Sequence, residues 1–444
     1  MDDEHTWRRV LQIISNYDHP VVIVSATART TRQLIAAAEL AVVDFGQASS
    51  KAIDIRDRHR IIVRNFMDHY NNESATLISE KCEEWIDKCI ATFQEHLIHI
   101  SETGNLKPDR KDAVASIGEQ LSSRLLAYCG TLFGLETVWI DARDVIKTDS
   151  DFGNANPVTG LIEESSEQIS DQHRQGKVPV MGGYYGEDKN HNITTLGFEG
   201  SDFSASLVGS ALNAENIEIW TDVSGIYTCD PRVVEDAFPI SKLSFREATE
   251  MAYFGAKVLH PSTMNPAEQK NIPILVKNIF EPDHPGTTIQ GDAPTDRTAK
   301  AMTFLKDVTI ITVTSHHARM GYDFLSGVFK VLKDYRHSVN VVTTTEASIS
   351  LALQTKKINP DLIQALQPMG DITRIDKQGI ISLIGCAFES MDSITGMVLS
   401  AVPKIRVYMI SYSSEKKNLN IVLPLDELIP SVQAIHRKLF KKSP

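Results

Sequence analysis

Pro20-Val21-Val22-Ile23-Val24-Ser25-Ala26 is a short apolar run, rich in β-branched residues, that ends in small polar ones. A continuous run of this kind reads as a strand buried on both faces, as in a mostly parallel sheet covered by helices. A helical pattern precedes it over 4–15 and another follows over 31–43. Residues 54–100 are helical in pattern and polar on one side, and 114–130 form another amphipathic stretch. Further short apolar strands are expected at 138–140, 178–180, 217–220 and 274–276, with helices over 201–212 and 245–254 between them. Strands alternating with helices predict an α/β domain with a covered sheet.

The composition is that of an ordinary globular chain with room for a large core. At about 150 residues per domain, 444 residues imply about three domains. Lys and Arg number 45 against 57 Asp and Glu, a net charge of −12, which removes the electrostatic footprint of a general nucleic-acid binder. An anion such as a nucleotide can still be held by locally arranged donors. The five cysteines (Cys82, Cys89, Cys129, Cys229, Cys386) are scattered and include no CxxC pair, which fits a reducing cytoplasm rather than a zinc site. Met1 leads into Asp2, Asp3 and Glu4, the wrong charge for a signal peptide, and no apolar run approaches the ~18 residues of a membrane span. The expectation is a cytoplasmic protein without membrane or nucleic-acid partners.

Residues 281–300, rich in Pro, Gly, Asp and Thr, read as a loop at a domain edge. Beyond it the pattern becomes smaller and repeats. A strand at 310–313, a helix at 324–335, strands at 339–344 and 348–354 and a helix at 360–366 are followed by the same order. The second set has a strand at 380–384, a helix at 394–401, strands at 406–411 and 419–423 and a helix at 425–440. A β-α-β-β-α unit used twice is the ferredoxin-like module. Such paired units serve as interfaces at least as readily as ligand sites.

Three runs could carry chemistry. Thr194-Thr195-Leu196-Gly197-Phe198-Glu199-Gly200-Ser201-Asp202 opens a helix, and its glycines would let backbone amides approach an anion. Ser201-Asp202 reads equally as a plain helix N-cap, the reading composition favours. Trp220-Thr221-Asp222-Val223-Ser224-Gly225-Ile226-Tyr227-Thr228-Cys229-Asp230-Pro231-Arg232 follows a strand, where open α/β sheets bind ligands. Tyr227 could stack on a base and Arg232 could hold phosphate, or Asp230 and Arg232 could form a surface pair. Phe254-Gly255-Ala256-Lys257-Val258-Leu259-His260-Pro261 places Lys257 after a glycine, as a phosphate ligand or a solvated side chain. The chain has no GxxxxGK[ST] and no HRD triplet, and its two Asp-Phe-Gly runs, at 44–46 and 151–153, have no HRD loop before them, so neither P-loop nor protein-kinase chemistry is supported.

In this order, and followed by Asn271-Ile272-Pro273-Ile274-Leu275-Val276-Lys277-Asn278 and Pro285-Gly286-Thr287, the runs resemble the aspartokinases over nearly the whole chain. The C-terminal pattern is similar to the monofunctional lysine-sensitive class. The resemblance implies an α/β amino-acid-kinase (carbamate-kinase-like) three-layer fold with a mainly parallel sheet over 1–292. Two ferredoxin-like ACT domains would follow, over 303–376 and 377–444. It implies phosphorylation of the side-chain carboxylate of L-aspartate by ATP with Mg²⁺, feedback control by an amino-acid effector such as lysine or threonine, and a homodimer formed through the ACT domains. Ser25, Thr31, Glu119, Phe198, Glu199, Gly200 and Ser201 would hold aspartate. Thr221, Asp222, Tyr227, Arg232, Lys257 and Val258 would hold ATP, and Asp202 would organise the phosphate-binding cations. Asp323, Phe324, Leu325, Ser338, Val339, Asn340, Thr345 and Glu346 would line the effector site.

The sequence departs from that family pattern in several places. The family opens with a strand and a Lys-Phe-Gly-Gly-Thr-Ser loop that this sequence lacks, its first lysine being Lys51. Loss of that strand is expected to leave a strand edge unpaired and a hole in the core. Phe198 stands where an Arg is usual and cannot form a charge-assisted fork with a carboxylate, so aspartate affinity is expected to fall. Glu199 adds a carboxylate beside it, while Arg29 and Arg32 add charge where Gly and Asn are usual. Ala318, Gly321, Asp323 and Asn340 replace the Met, Ser, Gly and Asp of the lysine-binding pattern. The competing expectation is a catalytically silent amino-acid-binding regulatory protein that dimerises through its ACT domains.

Overall fold

The computed structural model describes residues 3–70, 72–256, 259–293, 299–316, 322–385, 391–402, 404–413 and 418–440. In chain order the elements begin with α1 (Glu4–Ile14), β1 (Val22–Val24), α2 (Thr30–Ala41), α3 (Phe45–Met67), α4 (Glu73–Thr103) and α5 (Pro108–Phe133). There follow β2 (Thr137–Ile140), α6 (Ala142–Val145), β3 (Lys147–Thr148), α7 (Thr159–Ser165), α8 (Glu167–Arg174), β4 (Val178–Gly182), β5 (Tyr185–Asp188) and β6 (Ile193–Thr195). Next come α9 (Gly200–Ala211), β7 (Ile217–Thr221), β8 (Lys242–Ser244), α10 (Phe245–Tyr253), α11 (Pro261–Gln269), β9 (Ile274–Asn278) and β10 (Thr287–Gln290). The C-terminal elements are β11 (Ala301–Ser315), α12 (Tyr322–Asp334), β12 (Val341–Thr344), β13 (Ser348–Gln354), α13 (Pro360–Leu366), β14 (Gly370–Ile384), α14 (Met391–Ala401), β15 (Met409–Ser413), β16 (Asn418–Pro424) and α15 (Leu425–Leu439). Two compact units result: residues up to Asp222 with Ser262–His284, and Val223–Pro261 with residues from Pro285 on.

The first unit is layered around a parallel sheet of order β1-β4-β2. Successive strand side chains point to opposite faces, and here the two faces carry two different cores. Val24 of β1 and Val180 of β4 join Trp7, Leu34, Ile55, Ile86 and Leu121 from α1–α5. Met181 of β4 and Ile140 of β2 join Ile162, Ile169, Leu207 and Val208 from α7–α9. Each such side chain, when fully buried, contributes about 1.5–3 kcal/mol.

The helical stretch expected over 54–100 is two helices. The Asn72 side chain accepts from the Ala75 amide at 2.8 Å and caps a new start, so α3 ends at Met67 and α4 begins at Glu73. From there Ile78, Cys82, Ile86, Ile90, Phe93, Leu97 and Ile100 keep one buried face until Gly104 ends the helix in the left-handed conformation at φ +61°. Residues 281–300 contain a strand, β10, where only a loop was expected. It pairs in parallel with β8, which is distant in sequence, so no local pattern announces it.

In the second unit six strands form one sheet of order β12-β13-β11-β14-β16-β15. β11 and β14 each have 15 residues, far beyond the usual 5–6. Asp307 in β11 and Lys377 in β14 both adopt φ +58°, and the register of the pair shifts between Leu305 and Val308. Each strand is therefore bent into two halves that serve different modules. Val308–Ser315 with β12, β13 and the first half of β14 make one ferredoxin-like sheet. The second half of β14, with β16 and β15, makes the other, and its fourth strand is residues 301–305. The second module is thus closed by a strand that precedes the first, and the 303–376 span supplies part of its neighbour's sheet. Ile311, Val328, Leu351 and Leu362 form one helix-covered core, while Met302, Ile394, Val398 and Val432 form the other.

Candidate active site

The carboxyl ends of β1 and β4 are the places where an open parallel sheet presents loops to a ligand. α5 organises both. Its Glu119 accepts from the Ala26 amide at 3.2 Å and from Thr31 Oγ1 at 3.4 Å, both in the loop and helix start after β1. Ser122, one turn on, donates to the Ser25 carbonyl at 2.9 Å. A Cβ on Gly118 would lie 2.8 Å from the Ala26 Cβ, so only glycine lets α5 come this close. At the end of β4, a Cβ on Gly182 would sit 3.0 Å from the Glu119 carbonyl oxygen, and one on Gly183 2.6 Å from the Ser201 Cα. The β4 glycine pair thus seats α5 on one side and the start of α9 on the other. Ser25, Thr31, Glu119, Gly200 and Ser201 come together at these strand ends.

Glu119 is 4% exposed, and its Oε2 is buried with no hydrogen-bond partner. Burial outweighs the bonds from Ala26 and Thr31 and pushes its carboxyl up to about 8. A buried acceptor without a donor is a costly arrangement that a ligand ammonium would relieve.

α9 begins differently from the cap expected on composition. Its N-cap is Glu199, in the left-handed region at φ 54° and without a side-chain cap bond, and Gly200 is the first helical residue. Ser201 and Asp202 therefore lie inside the first turn, among the unpaired amides that attract anions. Burial, reinforced by the Glu199 charge, raises the Asp202 carboxyl to about 6. Phe198 is 78% exposed at the loop tip.

Asp112 is a residue that the motif reading missed. It lies seven positions before Glu119, two turns along the same helix face, and that spacing is the signal that could have found it. Its Oδ2 accepts from the Gly153 and Thr195 amides, each at 2.8 Å, and its Oδ1 from Thr195 Oγ1 at 3.0 Å. It fastens the strand that leads into the 196–199 loop. Asp112→Ala strands two buried donors on Thr195 and loses the part-buried Gly153 amide bond, and is expected to lower stability by about 3 kcal/mol. Asp112→Asn keeps an acceptor for the two amides and a donor for the Thr195 hydroxyl, and is expected to retain most of that stability. Urea unfolding of the two variants checks the contrast.

The residues that the resemblance assigns to nucleotide are divided between the units. Thr221 ends β7 in the first unit and Asp222 follows it, with Thr221 Oγ1 donating to Asp222 Oδ1 at 3.2 Å. Tyr227 and Arg232 belong to the second. The Arg232 guanidinium forks onto Asp230 at 3.0 and 2.7 Å, so the Asp-Arg pair is formed, and a phosphate would have to share or displace it. Lys257 and Val258 lie outside the described residues.

Of the residues assigned to an effector, Asp323, Phe324 and Leu325 form the first turn of α12. Ser338, Val339 and Asn340 precede β12, and Thr345 and Glu346 follow it. Phe324, Leu325 and Val339 pack on one core, and the buried Asn340 Oδ1 has no partner. Ala318 and Gly321 lie outside the described residues.

Residues 1–278 match the profile of the Amino acid kinase family. The chain is 33% identical to the chloroplastic aspartokinase 3 of Arabidopsis thaliana, over 96% of this chain and 77% of that protein. It is 30% identical to the lysine-sensitive aspartokinase 3 of Escherichia coli, over 97% of this chain and 94% of that one. Among solved structures, E. coli aspartokinase III in complex with aspartate and ADP (R-state) superposes with a TM-score of 0.83 at 28% identity, over 99% of this chain and 97% of that one. Its complex with lysine and aspartate (T-state) gives 0.77 over the same shares. With the layered first unit, the interlocked ferredoxin-like pair and a site built at the ends of β1 and β4, the chain belongs to the amino-acid-kinase family and, within it, to the aspartokinases.

Proposed function

We propose that this protein transfers the γ-phosphoryl group of ATP to the side-chain carboxylate of L-aspartate, giving 4-phospho-L-aspartate and ADP, the first step toward lysine, threonine and methionine. The observation that carries this reading is Glu119: a buried carboxylate with one oxygen unpartnered, at the sheet end where α9 starts. It suits the ammonium of an amino acid, while amides of the first turn of α9, at Gly200 and Ser201, suit an anion. The E. coli relative binds aspartate with ADP.

In this reading Ser25, Thr31, Glu119 and the 198–201 loop hold the amino acid. Thr221, Asp222, Tyr227, Arg232, Lys257 and Val258 hold ATP. The attacking carboxylate oxygen carries no proton, so no general base is required. A bond forms from that oxygen to the γ-phosphorus while the bond to the bridging oxygen breaks, and ADP leaves with the electron pair. Orientation and charge neutralisation do most of the work. Among the described residues no group of three or more His, Cys, Asp or Glu could hold a metal alone. Mg²⁺ bound through one or two carboxylates and the substrate phosphates fits Asp202, a carboxylate in the first turn of α9 whose carboxyl is raised by burial and by the neighbouring Glu199 charge. Mg²⁺ would neutralise charge on the phosphates. Asp202 supplies the fixed negative end of that arrangement.

The domain division 1–292, 303–376 and 377–444, an amino-acid effector such as lysine, a homodimer through the ACT modules and a cytoplasmic setting complete the proposal. The E. coli relative binds lysine, and among the described residues no helix is long and apolar enough to cross a membrane. An ADP-release assay with aspartate, glutamate and N-acetylglutamate tests the reaction. Turnover is expected with aspartate and not with the other two. Turnover confined to another acid would overturn the substrate, and ADP binding without any turnover would turn the reading toward the silent regulator.

A further inference from the structure

The segment that carries Tyr227 and Arg232 is a short clamp. Thr228 exchanges bonds with Phe238: its amide donates to the Phe238 carbonyl at 2.9 Å, and its Oγ1 accepts from the Phe238 amide at 3.3 Å. The Ile240 amide donates to the Ile226 carbonyl at 2.7 Å, and Tyr227 bridges Pro239. Arg232 lies between the arms of this clamp.

The clamp is seated on the last helix of the chain. Cys229 and Val234 are buried in one core with Leu428, Val432, Ile435 and Phe440. At its centre Thr228 Oγ1 and His436 Nε2 share a hydrogen bond of 3.0 Å, and both residues are 1% exposed. The His436 ring stacks on Phe440 with centroids 4.7 Å apart, which fixes its orientation. On the rim the Gln433 side-chain amide donates to the Val233 carbonyl at 2.9 Å. Two polar groups 208 residues apart, both excluded from water, satisfy each other directly beside Tyr227.

We infer that His436 is a positioning residue for nucleotide binding, acting through the Thr228 hydroxyl to fix the loop that presents Tyr227 and Arg232. The inference rests on the nucleotide role proposed above for those two residues. Without the bond, the buried hydroxyl and imidazole lose their shared partner and the clamp shifts to reach others. The loop then samples conformations in which Tyr227 and Arg232 are misplaced, and nucleotide affinity falls by the fraction of time the loop is out of place. Substrate groups on α5 and α9 are untouched, so aspartate affinity is unaffected.

The test uses the full chain, with ADP affinity by titration calorimetry and separate KM values for ATP and aspartate. Thr228→Val and His436→Leu are each expected to weaken ADP about 10-fold and raise KM for ATP alike, with KM for aspartate changed less than about twofold. Thr228→Ser keeps the hydroxyl and is expected to bind like the unaltered chain, and the double variant is expected to be no worse than either single one. Should the buried variants fail to fold, Gln433→Ala removes the rim contact without disturbing the core and is expected to weaken ADP about 2–3-fold. Folded variants with unchanged ADP affinity, or with both KM values raised together, overturn the inference. Failure of the unaltered chain to bind ADP would instead overturn the nucleotide reading.

Discussion

Glu119→Gln is expected to raise KM for L-aspartate about 100-fold or more, because removing one partner of a buried charge pair costs about 3–5 kcal/mol. The geometry predicts more than a loss. In the free protein Glu119 is pushed up to about 8 by burial. It is therefore mostly protonated at neutral pH and must ionise to pair with the amino acid's ammonium. Aspartate binding is then expected to release close to one proton at about pH 7, measurable by calorimetry in buffers of different ionisation enthalpy. KM for aspartate is expected to fall about tenfold per pH unit as pH rises toward 8, then to level off. Stability moves the other way. The folded protein keeps a proton that the unfolded chain loses above the ordinary value of 4.5, so this group's contribution declines as pH rises from 4.5 to about 8. Glu119→Gln is expected to abolish both dependences while keeping the bonds from Ala26 and Thr31. A flat KM between about pH 6 and 9 in the unaltered chain would remove Glu119 from the amino-acid site.

Much of this site was legible because its residues sit in local runs. Strand β1 and the run into α9 declare themselves by composition. Glu119 came only through the family resemblance, since a glutamate inside an amphipathic helix has no local mark of its burial. Asp112 carried a usable signal, its seven-residue spacing from Glu119, but its partners Gly153 and Thr195 lie 41 and 83 residues away. The cap reading of Ser201-Asp202 failed for a backbone reason: Glu199 takes the left-handed turn, and nothing in a glutamate's usual preferences signals that. The ferredoxin-like pattern showed two units but not their interlocking. That depends on bends at Asp307 and Lys377, two polar residues with no strong preference for positive φ, and on a long-range pairing of residues 301–305 with 380–384.

Asp202→Asn separates activity from stability most sharply. A negative charge in the first turn of a helix is ordinarily favoured by the unpaired amides there. Asp202 is nonetheless raised to about 6, so burial, with the Glu199 charge adding to it, wins over the helix terminus. The folded protein therefore retains a proton that the unfolded chain loses above the ordinary value of 3.8. This group's contribution to stability declines as pH rises from 3.8 to about 6, and above that the folded state carries a strained charge. Asparagine removes the charge, so at about pH 7 the variant is expected to melt at the same temperature as the unaltered chain or higher, and the difference should vanish at about pH 4. The same change takes away the fixed carboxylate proposed to order cations around the phosphates, and kcat is expected to fall about 1,000-fold. At saturating aspartate, where the Glu119 titration no longer enters, the unaltered enzyme should lose kcat/KM for ATP on the acid side with an apparent pKa of about 6. Glu199→Gln should move that limb to lower pH, although only partly, because the larger contribution from burial remains. A variant that melts earlier at neutral pH would mean that Asp202 serves the fold, and near-normal kcat would mean that the cations are ordered elsewhere.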